Sequence, residues 1–365
     1  MSEVTDICKK RMRHLRDLMG DDHIDLVCLF TFFRNFSSSL YKKLANTWAG
    51  DALLIPIDGE AILLCNNIDY EYAKDESWIS VKRIRSDKRD EEIKKIVHEY
   101  LKHNNSEIGV NIRLLNTKSY HFFKKNLNGK LVDIEKTILP NVFFGLYPEE
   151  FKFQRRLGSI ADIGIKAARE SLAIGRRECE IAAEANYEMM RHGSELQWFP
   201  TIISSGERSA YGHGWTGERK IKNGDLVIVD LGPVNNGYSA DETRTFLLGK
   251  DEKKEKMLMA VDRSVEAVLK NLKPGSSCRE LDLISRRVLK KNGFPPDYPG
   301  GLGHPISNYV VPKLSEDSED IEKKGMVHTI EPGIYIPGYG GVRIEENVIV
   351  TDDGFELLTR SPRLI

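Results

Sequence analysis

The sequence predicts an α+β chain in which a duplicated, pseudo-twofold C-terminal unit follows a smaller α/β domain. Three observations lead there. The 365 residues exceed what one core usually organises, so two domains are the natural division. Residues 1–145 alternate strand and helix patterns. Residues 150–365 contain one pattern twice.

In the first domain, residues 24–30 form an apolar run with strand character. Residues 52–57 and 61–65 flank Asp58-Gly59-Glu60 and read as a hairpin. Residues 79–84 supply a third strand, and over 90–102 Ile93, Ile96, Val97 and Leu101 recur at helical spacing. Residues 107–110 and 117–125 continue the alternation, and no catalytic motif falls in this domain. The basic run 9–16, interspersed with Met12 and Leu15, reads as the solvated face of a helix.

The boundary falls at residues 145–150, where Pro148 and two glutamates open a helix with charges that suit its dipole. A long helix carrying Leu157, Ile160, Ile163 and Ile165 follows, and a second spans 177–191. That second helix begins after Gly175 and ends at Gly193; its echo begins after Gly275 and ends at Gly293. The segment Gly224-Asp-Leu-Val-Ile-Val-Asp230-Leu-Gly232 returns as Gly325-Met-Val-His-Thr-Ile-Glu331-Pro-Gly333. Each copy sets a carboxylate six residues after one glycine and two before the next.

Asp230 ends an apolar strand, where an uncompensated charge is costly. Asn236-Gly237 is a strong hairpin signal, so the returning strand brings Asp241 to the face of Asp230 and turns Glu242 away. In the second copy Glu331 follows the strand, and the return places Arg343 and Glu345 on one face, with Glu346 outside the site. Four inward carboxylates would repel one another, and burial would penalise them further. Two divalent cations would balance the four charges, with His304 of Gly301-Leu-Gly-His304 as the neutral donor. Such a donor set suits Mn, Co, Fe or Zn.

Other classes find no support. Lys and Arg number 54 against 55 Asp and Glu, and a net charge of −1 argues against a nucleic-acid partner. Five cysteines, odd in number and without a CxxC pair, fit reduced thiols in a cytoplasmic protein. The first 20 residues lack the apolar core of a signal peptide, and the apolar stretch 24–33 is too short to span a bilayer. No GxSxG, HExxH or GxxxxGK[ST] motif occurs.

The motifs Asp230-Leu-Gly, Ser239-Ala-Asp241-Glu-Thr-Arg-Thr, Gly301-Leu-Gly-His304, Thr329-Ile-Glu331-Pro-Gly and Gly341-Val-Arg-Ile-Glu345 resemble those of the pita-bread metallopeptidases. That family includes prolidase, aminopeptidase P and methionine aminopeptidase. The leading domain resembles that of prolidases and aminopeptidases P, which methionine aminopeptidases mostly lack, so the Xaa-Pro branch fits better. The resemblance implies a pita-bread fold and metal-dependent cleavage of the bond before proline, in Xaa-Pro dipeptides or at the N-terminus of longer peptides. It implies that Asp230 and Asp241 bind one metal and that Asp241, His304, Glu331 and Glu345 bind the other, with Asp241 and Glu345 bridging. A water between them would attack the scissile carbonyl, and Glu331 would accept and relay its proton. His213 would hydrogen-bond the substrate near the tetrahedral centre. Arg343 would orient Glu345 or meet a substrate carboxylate. A homodimer through the N-terminal domain is also implied.

One position departs from the pattern. The family usually has a second catalytic histidine seven residues after the one matching His304, and Val311 stands there. His328 does not replace it, because strand parity turns it away from Glu331. The departure keeps a second reading open: a catalytically impaired homologue that binds peptides or proteins. A creatinase-type, metal-free hydrolase is opposed by the intact ligand set.

Overall fold

The computed structural model describes residues 3–31, 39–101, 105–143, 145–306 and 313–364. The chain divides into two compact units, Met1–Phe144 and Gly145–Ile365.

The first unit is built on β1 (Leu26–Leu29), β2 (Ala52–Pro56), β3 (Ile62–Asn66), β4 (Ser80–Ile84), β5 (Ser106–Val110) and β6 (Gly129–Asp133). Their order is β4-β3-β2-β1-β5-β6, with β2 antiparallel to β1 and β3 and the other pairs parallel. Helices α1 (Glu3–Asp21), α2 (Ser39–Ala45), α3 (Tyr70–Glu76), α4 (Arg89–Tyr100), α5 (Thr117–Asn126) and α6 (Ile138–Phe143) alternate with the strands. Leu26, Leu54 and Leu64 of the sheet share a core with Ile93 and Val97 of α4 and Phe123 of α5. The side chain of Asn116 caps α5 by accepting the Ser119 N–H at 2.9 Å.

The basic run in α1 is not the plain solvated face expected of it. Arg11 is fully buried and lies 5.5 Å from the Phe143 ring centre, and Arg16 donates to the Gly59 carbonyl at 2.6 Å. Arg11 falls on the stripe of Cys8, Met12, Leu15 and Met19, all buried. Its long stem fills that stripe, while the guanidinium stacks on an aromatic face.

The second unit runs helix-helix-strands twice. The first pass is α7 (Phe151–Ser171), α8 (Glu178–Arg191), β7 (Leu196–Gln197), β8 (Ile202–Ser205), β9 (Leu226–Leu231), β10 (Pro233–Asn235), β11 (Tyr238–Ser239) and β12 (Glu242–Leu247). The second is α9 (Glu252–Leu269), α10 (Cys278–Lys291), β13 (Val327–Ile330), β14 (Gly333–Ile336), β15 (Gly340–Arg343), β16 (Glu346–Val350) and β17 (Phe355–Leu357). Ile160, Ile165, Ile181 and Met189 bury the first helix pair against Ile203 and Val229. Val261, Val265, Leu281 and Leu289 bury the second against Ile330, Val342 and Val348. Among the described residues, no helix is long and apolar enough to cross a membrane.

The duplication extends to individual hydrogen bonds. Gly175 N–H donates to Ile221 O at 2.8 Å, and Gly275 N–H to Glu322 O at 2.9 Å. Ile221 N–H returns a bond to Arg176 O at 2.8 Å, and Glu322 N–H to Ser276 O at 2.9 Å. The paired glycines share a left-handed backbone: φ is 89° and 87° at Gly175 and Gly275, and 82° and 85° at Gly224 and Gly325. Side chains other than glycine rarely adopt these angles, so the repeated glycines mark a repeated backbone.

Asn236 and Gly237, with φ of 52° and 81°, make the tight turn between β10 and β11. The returning strands are less regular than expected. Asp230 pairs with Thr243 across β9 and β12, while Asp241 lies in the break between β11 and β12. Glu345 lies in the corresponding break between β15 and β16. Both carboxylates therefore leave the ladder where the strands part.

Candidate active site

A cavity of about 570 Å³ in the second unit is lined by Asp230, Asp241, His304, Glu331, Arg343, Glu345 and His213. Trp198, Phe199, Pro200, Ile202 and Trp215 form an apolar wall beside them. All seven residues singled out from the sequence thus line one space.

Asp230, Asp241 and Glu345 are buried, and each keeps one carboxylate oxygen with no hydrogen-bond partner: Asp230 Oδ1, Asp241 Oδ1 and Glu345 Oε1. The other Glu345 oxygen accepts from Thr243 Oγ1 at 2.7 Å. Burial pushes the Asp241 carboxyl well above its ordinary range, and the charges of Glu345, Asp230 and Glu331 push it further. Glu345 is raised likewise, by burial first and then by Glu331 and Asp230.

His304 reaches this cluster from the segment before β13. Its Nε2 lies 3.3 Å from Glu331 Oε1 and 3.8 Å from Asp241 Oδ2. Its Nδ1 lies 3.2 Å from the Pro305 carbonyl, which can only accept. Nδ1 is thus placed to donate to that carbonyl, and Nε2 faces the acids. The ring packs edge-on against Trp198, with centroids 5.5 Å apart. Thr329 Oγ1 accepts the His304 N–H at 3.0 Å and sits 3.1 Å from Glu331 Oε1, tying the two residues together. A Cβ at Gly303 would strike the Thr329 carbonyl, so glycine is what lets this segment lie against β13.

Ligand atoms of Asp241, His304 and Glu345 lie within 4.8 Å of one another. Three partnerless buried carboxylate oxygens beside the Nε2 of an imidazole are a chemically apt donor set for divalent ions. Without cations the same oxygens would leave buried charge unsatisfied.

Arg343 departs from expectation. It forms an ion pair with Asp230 of the opposite half rather than with Glu345. Its Nε donates to Thr243 Oγ1 at 3.1 Å, and its Nη1 to the Tyr335 hydroxyl at 2.9 Å and the Gly212 carbonyl at 3.0 Å. Its link to Glu345 runs through Thr243. Burial works to lower the guanidinium pKa, but Tyr335, Asp230, Glu331 and Glu345 outweigh it and hold it well above its ordinary value. Glu242 and Glu346 lie outside the cavity, as expected, 3.0 and 3.1 Å from Arg244. Burial pushes the Glu242 carboxyl up to about 8. His328 is also turned away, 3.0 Å from buried Glu322. Val311 lies outside the described residues.

His213 is exposed at the cavity rim, on a loop held by a residue the sequence did not flag. Glu178 is fully buried and accepts from Ser205 N–H at 3.0 Å, Ser205 Oγ at 2.7 Å, Arg208 Nη1 at 3.1 Å and Gly217 N–H at 3.1 Å. Its helix-start position masked this role, because acidic residues are common there. Replacing Glu178 with alanine removes the ion partner of part-exposed Arg208 and leaves three further donors, the Ser205 N–H, the Ser205 hydroxyl and the Gly217 N–H, without their acceptor. Urea unfolding should show a loss of about 3–5 kcal/mol. A loss below about 1 kcal/mol would show that water readily replaces the carboxylate.

A model described as metallopeptidase family M24 matches residues 152–352, and one described as the creatinase/prolidase N-terminal domain matches residues 11–140. The chain is 35% identical over 365 residues to an Xaa-Pro dipeptidase of Pyrococcus furiosus, covering 97% of this chain and 99% of the relative. It is 33% identical to an Xaa-Pro dipeptidase of Pyrococcus horikoshii, covering 98% and 99%. Among solved structures, a prolidase from Pyrococcus horikoshii superposes with a TM-score of 0.84 at 30% identity, covering 97% of this chain and 99% of that one. An X-Pro aminopeptidase from Thermotoga maritima gives 0.87 at 25% identity, covering 97% and 98%. With a creatinase/prolidase-type domain leading a pita-bread unit, the chain belongs to metallopeptidase family M24, hydrolases that use a divalent metal cofactor.

Proposed function

We propose that the chain is an Xaa-Pro peptidase that hydrolyses the bond before proline, in Xaa-Pro dipeptides first and at the N-terminus of longer Xaa-Pro peptides second. The observation that carries this reading is the set of three partnerless buried carboxylate oxygens on Asp230, Asp241 and Glu345 beside His304. Asp230, Asp241, His304, Glu331 and Glu345 would hold two divalent ions, of Mn, Co, Fe or Zn. When bound, such ions neutralise the carboxylates and supply the Lewis acidity that makes water a competent nucleophile near neutral pH.

The chain's own residues do the rest. The apolar wall from Trp198 to Ile202 excludes water and offers a flat surface to a proline ring. Glu331 takes the proton of the attacking water as oxygen bonds to the scissile carbon. It then returns that proton to the prolyl nitrogen as the C–N bond breaks. His213, at the rim, donates to the carbonyl oxygen as negative charge grows there. Arg343 holds Asp230 in place and ties the loop of His213 to the cavity through Gly212.

All five cysteines are free, which supports a reducing, cytoplasmic setting. A homodimer is part of the same proposal, on the strength of the resemblance alone. The test is release of free amino acid from Leu-Pro and from a Leu-Pro-headed pentapeptide, with Mn or Co added and Leu-Ala as control. We expect turnover of the proline substrates at least about tenfold faster than of the control, as a shaped apolar pocket allows. Silence on both proline substrates, with metal bound, would instead support a peptide- or protein-binding module.

A further inference from the structure

The two carboxylates proposed to bridge the metals share an awkward position. Asp241 and Glu345 each sit where a strand is interrupted, so neither gains main-chain partners from an ordinary ladder. Buried peptide groups nonetheless need partners, and in both cases the opposite half of the duplication supplies them.

For Glu345 the partners come from the first half. Its N–H donates to the Thr243 carbonyl at 3.0 Å, and its carbonyl accepts from Arg244 Nη1 at 2.5 Å. For Asp241 they come from one side chain of the second half. Asn347 Oδ1 accepts the Asp241 N–H at 2.7 Å, and Asn347 Nδ2 donates to the Asp241 carbonyl. A carboxamide is a short group that offers a donor and an acceptor side by side, so it stands in for the missing strand's peptide unit. Asn347 is itself fully buried. Its N–H donates to Thr359 Oγ1 at 3.0 Å, and its carbonyl accepts the Leu358 N–H at 2.9 Å. It is therefore a fixed fork.

We propose that Asn347 is a positioning residue for the metal site, its carboxamide setting the main chain of Asp241 across the pseudo-twofold. This rests on the reading of Asp241 as a metal ligand. Asn347 touches neither metal nor substrate; it acts by fixing where Asp241 Oδ1 and Oδ2 point. Partners that orient a ligand in this way typically govern metal affinity by 10–100-fold.

The test is calorimetric titration with Mn2+ of metal-stripped full-length protein. Four proteins are compared: the unaltered chain, Asn347→Ala, the isosteric Asn347→Leu and Val348→Ala. Val348 is a buried residue of the same strand whose truncation loosens the core without touching the fork. Both Asn347 variants should bind Mn2+ at least about tenfold more weakly than the unaltered chain, while Val348→Ala binds normally. If one Asn347 variant does not fold, the other decides. Unaltered affinity in a folded Asn347 variant, or an equal loss in Val348→Ala, overturns the inference but leaves the metal site standing. Failure of the unaltered chain to take up any of Mn2+, Co2+ and Zn2+, titrated in turn, overturns the metal reading itself and this inference with it.

Discussion

Glutamine in place of Glu331 is expected to lower kcat on an Xaa-Pro dipeptide by roughly 10²–10⁴-fold, the usual contribution of a positioned general base. Glutamine keeps the shape of the side chain and can still meet Thr329 Oγ1, which lies 3.1 Å from Glu331 Oε1. It cannot accept a proton. Circular dichroism should show the fold in place, and metal analysis should separate lost proton transfer from lost metal. A folded, metal-loaded variant that keeps more than about a tenth of the parent kcat would remove Glu331 from the proton-transfer role.

Metal removal should have the second large effect, on stability, and the effect should depend on pH. A ligand at about 100 times its Kd stabilises by about 2.7 kcal/mol, which for a domain of this size corresponds to a Tm change of roughly 5–10 °C. In the metal-free chain, Asp241 and Glu345 have carboxyl pKa values raised above the ordinary 3.8 and 4.5, chiefly by burial and then by neighbouring acids. Groups raised in the folded state bind more protons there than in the unfolded chain. Their contribution to stability is thus present at low pH and is lost as pH rises from the ordinary carboxylate range through their folded values. Metal binding needs the ionised form, so protons compete with it. The Tm difference between loaded and stripped protein should therefore widen from about pH 5 to about pH 8. A difference that stays flat, or narrows, would mean that these carboxylates do not hold the metal.

Much of this was legible in the sequence because the duplication repeats hard constraints. Gly175, Gly275, Gly224 and Gly325 recur where the backbone is left-handed, and such positions survive in sequence as glycine. Asp230 and Glu331 stood out because a carboxylate falls at the end of one strand and directly after the other, at the same spacing from the flanking glycines. The line of Asn236-Gly237 gave the turn, and strand parity separated Glu242, Glu346 and His328 from the cavity. What parity does not reach is the partner across the pseudo-twofold. Arg343 was read against its neighbour Glu345, but its ion pair is with Asp230, 113 positions away. Asn347 holds the main chain of Asp241, and Glu178 meets two main-chain N–H groups besides Ser205 Oγ and Arg208, partners that leave no mark on side-chain patterning. The burial of Arg11 was hidden by its charge, because the helical stripe was read from apolar residues alone.

The breaks at Asp241 and Glu345 also bear on how the molecule is assembled. The contacts that Arg343 and its neighbours make across the cavity join residues 98 to 131 positions apart. On the proposed ligand set, neither repeat by itself would own a finished coordination sphere, because the carboxylates of Asp230 and Asp241 come from one copy and those of Glu331 and Glu345 from the other. Long-range closure of this kind slows folding. A half-length fragment, however well it keeps its helices, should be unable to compete with a chelator for the ion.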